Sequence, residues 1–281
     1  MKKILVLCLT FVIAMSAFVG CGAKEAVTAK VIDIELTSED YAFGVDKTQP
    51  ELLEKTNAFI AEIKANGTFE EICNKYFGDG TPTAVTSAKE DSSKDQLVVA
   101  TNAAFEPFEY MEGENYLGID MEIAALLAEY LGKELVIQNM DFDAVCLAVG
   151  QQKCDIAMAG LTINTEREEF VTFTDSYYSA SQKLIVTSDN TEFDACADAA
   201  AVEAILNGKD DKVKVGVQTG TTGQLYCEGD ADWGFTGYGM TTVGYKNGSL
   251  AVQDLLNGNI QYVIIDSAPA ACITEAINAL Q

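Results

Sequence analysis

The residues best suited to chemistry lie between Ile156 and Tyr178, where a turn of small residues precedes a hydroxyl and a guanidinium. Ala159 and Gly160 end an apolar run, and Thr162 and Arg167 follow them. A strand that ends at such a turn leaves backbone N–H groups free, and the guanidinium adds a planar fork of donors that fits a carboxylate. The pattern predicts an anion-binding site. The residues alone leave open an ordinary turn with a surface arginine.

Two later stretches carry the complementary groups. Asp266 follows the apolar run IQYVII, a predicted strand, and its carboxylate can bind an ammonium or cap the helix expected near Ala268. The loop QTGTTG at 218–223 is glycine-rich, but it lacks the lysine of a P-loop and the full dinucleotide pattern, so it is a weak nucleotide signal. Where this loop opens a helix, the N–H of Thr222 suits a small carboxylate.

Composition narrows the class of protein. The 281 residues are 48% hydrophobic and 22% charged, which is ordinary for a folded chain and long enough for two compact lobes. The formal charge of -25 argues against nucleic acid or anionic lipid as a binding partner.

Histidine is absent, which excludes Ser-His-Asp and Cys-His catalysis and histidine-ligated metals. The 8 cysteines include no C-x-x-C pair, so a zinc ribbon or a thioredoxin-like site lacks support. The six cysteines beyond the N-terminal leader are expected to be free or only occasionally paired. These absences remove most hydrolase mechanisms, and we expect no catalytic residue, no cofactor and no metal site.

The N-terminus predicts export. Residues 1–20 combine Lys2 and Lys3 with an apolar run to Val19, which is typical of a secretory signal peptide. The tetrapeptide that ends at Cys21 resembles a bacterial lipobox, although Phe18 replaces the usual leucine. Cys21 is thus a predicted lipidation site with residues 21–30 as a tether, and the folded part is expected on the outer face of a membrane. Cleavage by ordinary signal peptidase is the alternative.

The elements that must position these groups alternate between strand and helix. They are predicted as strand 97–101, helix 120–131, strand 134–139, helix 143–150 and strand 154–158. This order implies a parallel sheet covered by helices, in which ligands lie beyond the carboxyl ends of the strands. The residues expected at that edge are Asn102, Phe105, Phe142 and Gly160.

The runs AGLTINTERE (159–168) and FVTFTDSYY (170–178) resemble the family 3 bacterial extracellular solute-binding proteins, which capture amino acids for ABC importers. The stretch from Leu97 to Phe142 resembles the usual beginning of that family. The resemblance implies an α/β, two-lobed, type II periplasmic-binding-protein-like fold with two hinge crossings. It also implies a protein that is not an enzyme, with an amino acid as ligand and an ABC permease as partner.

The resemblance also implies roles for individual residues. Arg167 with the N–H groups of Thr162 and Thr222 would hold the ligand carboxylate. Asp266, the Gly160 carbonyl and the Thr162 hydroxyl would hold its ammonium. The side-chain pocket would be formed by Asn102, Phe105, Phe142 and Gln218. Because members that select basic side chains usually carry an acidic group near position 102, Asn102 favours a neutral polar or aromatic amino acid.

The order of the chain departs from the family pattern. The run ELLEKTNAFIAEIKANGTFEEICNKYFG (51–78) resembles the family's closing helices, which we would otherwise expect beyond Gln281. We therefore predict a circular permutation in which residues 79–96 form a flexible linker. The predicted parts are lobe 1 at 41–178, lobe 2 at 31–36 plus 182–281, and hinges at 37–41 and 177–181.

Two other functions stay open. Periplasmic cyclohexadienyl dehydratases share this fold, and Glu106 or Glu109 could be proposed as the acid that such an enzyme needs. A ligand-sensing domain is the other, and it would act through a separate signalling partner.

Overall fold

The computed structural model of the protein describes residues 27–280. The predicted signal peptide, the lipidation site Cys21 and the first part of the predicted tether lie outside the described residues. Among the described helices, none combines the length and the apolar character needed to cross a membrane.

Fifteen strands and nine α-helices are described. The strands are β1 (Ala29–Ile32), β2 (Glu39–Tyr41), β3 (Gly44–Asp46), β4 (Gln96–Thr101), β5 (Ala104–Phe105), β6 (Glu109–Glu112), β7 (Asn115–Leu117), β8 (Glu134–Asn139), β9 (Ile156–Ala157), β10 (Val171–Phe173), β11 (Tyr178–Ala180), β12 (Gln182–Thr187), β13 (Lys214–Gln218), β14 (Thr241–Tyr245) and β15 (Tyr262–Asp266). The helices are α1 (Pro50–Ala65), α2 (Thr68–Phe77), α3 (Ile119–Leu131), α4 (Val145–Gly150), α5 (Thr165–Glu168), α6 (Ala199–Asn207), α7 (Thr222–Glu228), α8 (Gly248–Leu256) and α9 (Ser267–Asn278).

Two five-stranded sheets divide the molecule, and the two-lobed α/β fold predicted from the sequence is confirmed. The sheet of lobe 1 has the order β10-β3-β9-β4-β8, and that of lobe 2 has the order β1-β12-β15-β13-β14. The expected parallel pairing holds for β4 with β8 and β9. It also holds for β13 with β14 and β15. The remaining pairs in these two sheets are antiparallel, because β3 in lobe 1 and β12 in lobe 2 run opposite to the other strands of their sheets.

The chain crosses between the lobes at a two-stranded antiparallel ribbon. In it β2 pairs with β11, with Tyr41 opposite Tyr178 and Glu39 opposite Ala180. Glu39 and Tyr41 point to one side of β2 and are buried, whereas Asp40 points to the other side and is exposed. This ribbon brings two side chains from one short strand into the space between the lobes.

The first described residues belong to both lobes. β1 pairs with β12 at the edge of the lobe 2 sheet, and β3 lies between β10 and β9 in lobe 1. α1 and α2 contribute Phe59, Ile60 and Ile72 to the largest buried cluster. β1 covers Ala29–Ile32, so only the first two residues of the part of lobe 2 predicted at 31–36 lie in a strand. The ladder stops at Ile32 because the N–H of Ile34 turns back to the carbonyl of Ile32.

Residues 79–96 contain no helix, as their composition predicts, but they are bound to lobe 1. Val85 exchanges two backbone hydrogen bonds with Tyr116 and is buried against Met121 and Ile137. The N–H of Ala88 donates to the carbonyl of Leu135. The prediction of a flexible linker is therefore wrong for the middle of this segment, because the side chain of Val85 is buried in an apolar cluster of lobe 1.

Candidate functional site

The turn at Gly160 is built as the small residues predict, but its N–H is not free. Gly160 has φ +52, and a Cβ there would lie 3.0 Å from the Phe105 ring, so glycine is required. Its N–H donates to Oδ2 of Asp120 at 2.9 Å, and the hydroxyl of Tyr177 donates to Oδ1 at 2.7 Å. Burial nevertheless raises the pKa of Asp120 to about 7. Asp120 thus holds the turn, and the expectation of free N–H groups fails at Gly160.

Arg167 is positioned by its own short helix. The N-cap residue Asn164 accepts from the N–H of Arg167 at 2.8 Å, which fixes the start of α5. The guanidinium donates to the carbonyl of Thr162 at 2.6 Å and to the carbonyl of Gly220, in lobe 2, at 3.0 Å. It lies 5.1 Å from the ring centroid of Phe142. The side chain is therefore a lobe 1 cation that faces lobe 2, rather than a surface arginine.

Asp266 ends β15 and is buried, with 4% of its surface exposed. It is the N-cap residue of α9, yet its side chain makes no capping hydrogen bond, so the helix-cap interpretation is wrong. Oδ1 instead accepts from the hydroxyl of Tyr41 at 2.5 Å. Burial, followed by the charge of Glu39, raises the pKa of Asp266 to about 7. A cation beside this carboxylate would lower its pKa, because it would offset both the burial and the charge of Glu39.

Neither charge is neutralised by a residue that the structure describes. Among residues 27–280, no carboxylate lies within ion-pair distance of Arg167, and no lysine or arginine lies within that distance of Asp266. The described ion pairs involve lysines, most of them on the surface. A buried guanidinium and a buried carboxylate, each without a counter-charge, therefore lie on opposite lobes of one molecule.

Two amide side chains of the predicted side-chain pocket, one from each lobe, form a hydrogen bond with each other. Nε2 of Gln218 donates to Oδ1 of Asn102 at 3.0 Å, and Nδ2 of Asn102 donates to the carbonyl of Met140 at 2.7 Å. Phe105 and Phe142 are buried on the lobe 1 side. Oε1 of Gln218 has no partner within the described part of the chain. The pocket thus retains a buried acceptor that can be satisfied from outside the chain.

Thr222 is the first residue of α7, so its N–H is one of those that have no acceptor inside the helix. Its hydroxyl is also buried, and within residues 27–280 it has no hydrogen-bond partner. The adjacent Gly223 lies so close to Gln182 that a Cβ would be 2.9 Å from Oε1 of that side chain. Thr222 therefore lies in the region where lobe 2 meets the crossing ribbon.

A cavity of about 270 Å³ lies between the lobes at the outer side of Arg167. Phe142, Arg167, Gly220 and Gln224 are in its wall. Of the nine predicted ligand-binding residues, Phe142 and Arg167 line this cavity and the other seven do not. Among these seven, Asn102 and Gln218 bond to each other. Asp266 and Thr162 bond to Tyr41 and Glu39 of the ribbon.

Sequence reasoning missed four polar residues that organise this region: Glu39, Tyr41, Asp120 and Gln182. The sequence predicts residues 37–41 only as a hinge, whereas Glu39 and Tyr41 belong to one face of a strand. The sequence EDY has no alternation of apolar and polar residues, so the alternation of buried and exposed positions appears only in the structure. Gln182 faces Asp266 in the β12–β15 pair, which only the register of the sheet reveals.

Comparison with known proteins gives the same picture. The family model for bacterial extracellular solute-binding proteins, family 3, matches residues 97–268. The arginine-binding extracellular protein ArtP of Bacillus subtilis (strain 168) is 34% identical over 110 residues, which are 39% of this chain and 43% of that protein. The putative ABC transporter arginine-binding protein 2 of Escherichia coli (strain K12) is 32% identical over 171 residues, 60% of this chain and 62% of that protein. The chain thus spans less than two thirds of the length of either relative.

A solved structure supports the fold. The ancestral amino acid-binding protein AncCDT-1, described as a precursor of cyclohexadienyl dehydratase, matches with a TM-score of 0.55 and 29% identity. The match covers 65% of this chain and 75% of that chain.

Proposed function

The chain belongs to the family 3 bacterial extracellular solute-binding proteins, and on that premise we propose that it binds an amino acid between its lobes. It then delivers the amino acid to an ABC importer after hinge closure. The observation that carries this proposal is a pair of buried charges, Arg167 in lobe 1 and Asp266 in lobe 2, for which the described residues supply no counter-charge. An α-amino acid carries one carboxylate and one ammonium, so it would neutralise both, and unpaired buried charges are strongly unfavourable.

The proposed contacts follow the geometry of the two lobes. Arg167 with the N–H groups of Thr162 and Thr222 holds the carboxylate. Asp266, the Gly160 carbonyl and the Thr162 hydroxyl hold the ammonium. Two hydrogen bonds join the lobes at the proposed site, one from Arg167 to Gly220 and one from Gln218 to Asn102. An amino acid that enters between the lobes must replace these bonds with its own contacts. Differential contacts of this kind favour a closed form with the amino acid between the lobes.

The choice of side chain is a finer proposal. The amide pair of Asn102 and Gln218, beside Phe105 and Phe142, supports a neutral polar or aromatic amino acid. The relatives ArtP and the arginine-binding protein 2 are instead described as binding arginine. A thermal-shift screen against the common amino acids and cystine tests both the binding and the preference, because a ligand that binds only the folded state raises the melting temperature. A screen in which no amino acid raises it would overturn the proposed function.

A non-enzymatic role is part of the proposal. Glu109 has the buried, unpartnered carboxyl that an acid catalyst would require, with its pKa raised by burial and by Asp120 and Asp266. The likeness to a precursor of cyclohexadienyl dehydratase gives that alternative a structural basis. Turnover of prephenate or arogenate by the purified protein would favour the enzyme over the binding protein.

The remaining parts of the proposal concern location and chain order. Cys21 is proposed to carry a lipid that anchors the protein outside the cell, and Cys21→Ala should release it into the medium. The circular permutation is supported by α1, α2 and β3, which complete lobe 1 from a segment outside the family match at 97–268. A rearranged gene that places residues 27–78 after residue 280 should then give a folded protein with the same amino-acid preference.

A further inference from the structure

Glu39 is a buried carboxylate at the crossing between the lobes, and the proposed contacts above do not use it. Only 3% of its surface is exposed. Oε1 accepts from the hydroxyl of Thr37 at 2.6 Å and from Nε2 of Gln182 at 3.0 Å. Oε2 accepts from the hydroxyl of Thr162 at 2.7 Å. Three donors from three different segments therefore fix the orientation of this carboxylate.

The bond from Thr162 has a chemical consequence. A threonine hydroxyl has one proton to donate and two lone pairs that accept. Because that proton is directed to Oε2 of Glu39, the hydroxyl presents only lone pairs in its other directions. An ammonium is a donor without acceptors, so it is matched by a hydroxyl held in this state.

We propose that Glu39 is a positioning residue of the ammonium-binding half of the site, and that it acts through Thr162 and beside Asp266. It fixes the Thr162 hydroxyl as an acceptor and adds a second negative charge near the ammonium. The inference rests on the proposed binding of an amino acid. It adds a residue that the resemblance did not assign and that lies outside the matched residues 97–268.

The strand that carries Glu39 connects both halves of this arrangement. Glu39 and Tyr41 lie on the same face of β2, and Tyr41 donates to Asp266 whereas Glu39 accepts from Thr162. Gln182, directly opposite Asp266 in the sheet, donates to Glu39. One crossing strand thus orients an acceptor of lobe 1 and an acceptor of lobe 2 toward the same place.

The charges around the pair favour a cation between them. The titratable groups that face Asp266 are Glu39 and Tyr41 on β2, Glu109 on β6 and Tyr178 on β11. All of them are acidic or neutral, and within the described ranges no lysine or arginine pairs with Glu39 or Asp266. An ammonium placed between Glu39 and Asp266 interacts with both carboxylates. A neutral group in the same place would leave their negative charges uncompensated.

The first test is calorimetric titration of Glu39→Gln with whichever common amino acid most raises the melting temperature of the wild type. We expect about a tenfold to hundredfold loss of affinity, as for removal of a hydrogen bond to a charged group. Asp40→Asn is the matched control, since it removes a carboxylate from the other face of the same strand and should change affinity by no more than about twofold. Unchanged affinity in Glu39→Gln would overturn the inference.

A double-mutant cycle with Thr162→Val tests whether Glu39 acts through the hydroxyl. Glu39→Gln should weaken binding much less in the Thr162→Val background than in the wild type, whereas independent residues give additive effects. Additive losses would overturn this part of the inference. Melting temperatures without amino acid separate loss of folding from loss of binding.

Proton release provides a measurement that a purely structural role would not change. Binding an ammonium near neutral pH should release part of a proton from Asp266, whose pKa is raised to about 7, and titrations in buffers of different ionisation enthalpy measure that release. Glu39→Gln should reduce that release, because Asp266 then loses the neighbouring charge that raises its pKa. Equal release in both proteins would contradict the inference. A wild type that binds no amino acid would overturn the proposed function itself, which is a different outcome.

Discussion

The two halves of the proposed site are built in different ways. Arg167 is held mainly by residues within five positions of it, since Asn164 caps its helix and the carbonyl of Thr162 accepts from its guanidinium, which also donates to Gly220 of lobe 2. Asp266 is held by Tyr41, which is 225 positions away, and it lies opposite Gln182. Arg167 is therefore positioned mainly by a local motif, although Thr222 of the same half lies in lobe 2, whereas the anionic half exists only when the crossing ribbon and both lobes are assembled.

This difference has an energetic side. The guanidinium donates to two carbonyl oxygens, so its donors are partly satisfied without an amino acid. Asp266 lies in a buried region that contains Glu39 and Glu109, and its charged form is disfavoured there. We expect the local half to be insensitive to pH and the assembled half to be sensitive to it.

The largest expected effect comes from Arg167→Ala. Truncating a buried charge partner typically costs roughly 2 to 5 kcal/mol of binding free energy. Lys246→Ala is the matched control, because Lys246 also joins the lobes as a cation but its ion pair with Asp141 is exposed. Calorimetry that finds equal affinities for the two variants would remove Arg167 from the site.

Asp266→Asn should separate binding from stability. We expect a loss of about 1.5 to 3 kcal/mol in binding free energy, since the ammonium loses a charged hydrogen-bond partner. Without amino acid, the same variant should melt at a higher temperature near neutral pH, because a carboxylate with a raised pKa has been removed. Thermal melts and titrations of one preparation measure the melting temperature and the affinity. A fall in both would contradict the role assigned to Asp266.

The pH dependence follows from the same carboxylate. Its pKa in the folded protein is raised from 3.8 to about 7, so its contribution to folding stability is full below pH 3.8 and is lost as pH rises through about 7. Affinity should change in the opposite direction and increase over this interval, since the ionised carboxylate binds the ammonium. Asp266→Asn should flatten the affinity profile, and a profile unchanged by that substitution would assign the titration to another group.

The smallest expected effect is that of Asn164→Ala. Loss of an N-cap side chain costs about 0.5 to 2 kcal/mol of stability. Affinity should fall modestly because α5 positions Arg167, but the shape of the pH profile should stay that of the wild type. A changed pH profile would show that the two halves are not independent.

Much of the fold could be predicted from the sequence, because its signals are local. The helix over 50–65 begins at a proline and ends before Gly67, and the strand 134–139 has the predicted bounds. The middle of segment 79–96 could not be predicted, since the burial of Val85 depends on the apolar surface near Met121 and Ile137. The end of β1 could not be predicted either, because it is set by a backbone hydrogen bond from Ile34 to Ile32 rather than by hydrophobic alternation.

The resemblance to the family indicated the two α/β lobes. By itself, the sequence determined the strands, the helices and a glycine turn, because each of these elements depends on residues within a few positions of one another. Only the tertiary structure decided that Asp266 accepts from Tyr41 rather than caps its helix, and that Glu39 lies beside Thr162. The physical reason is that a carboxylate takes its partners from whatever the folded chain places within hydrogen-bond distance, and sheet register and lobe crossing set that distance.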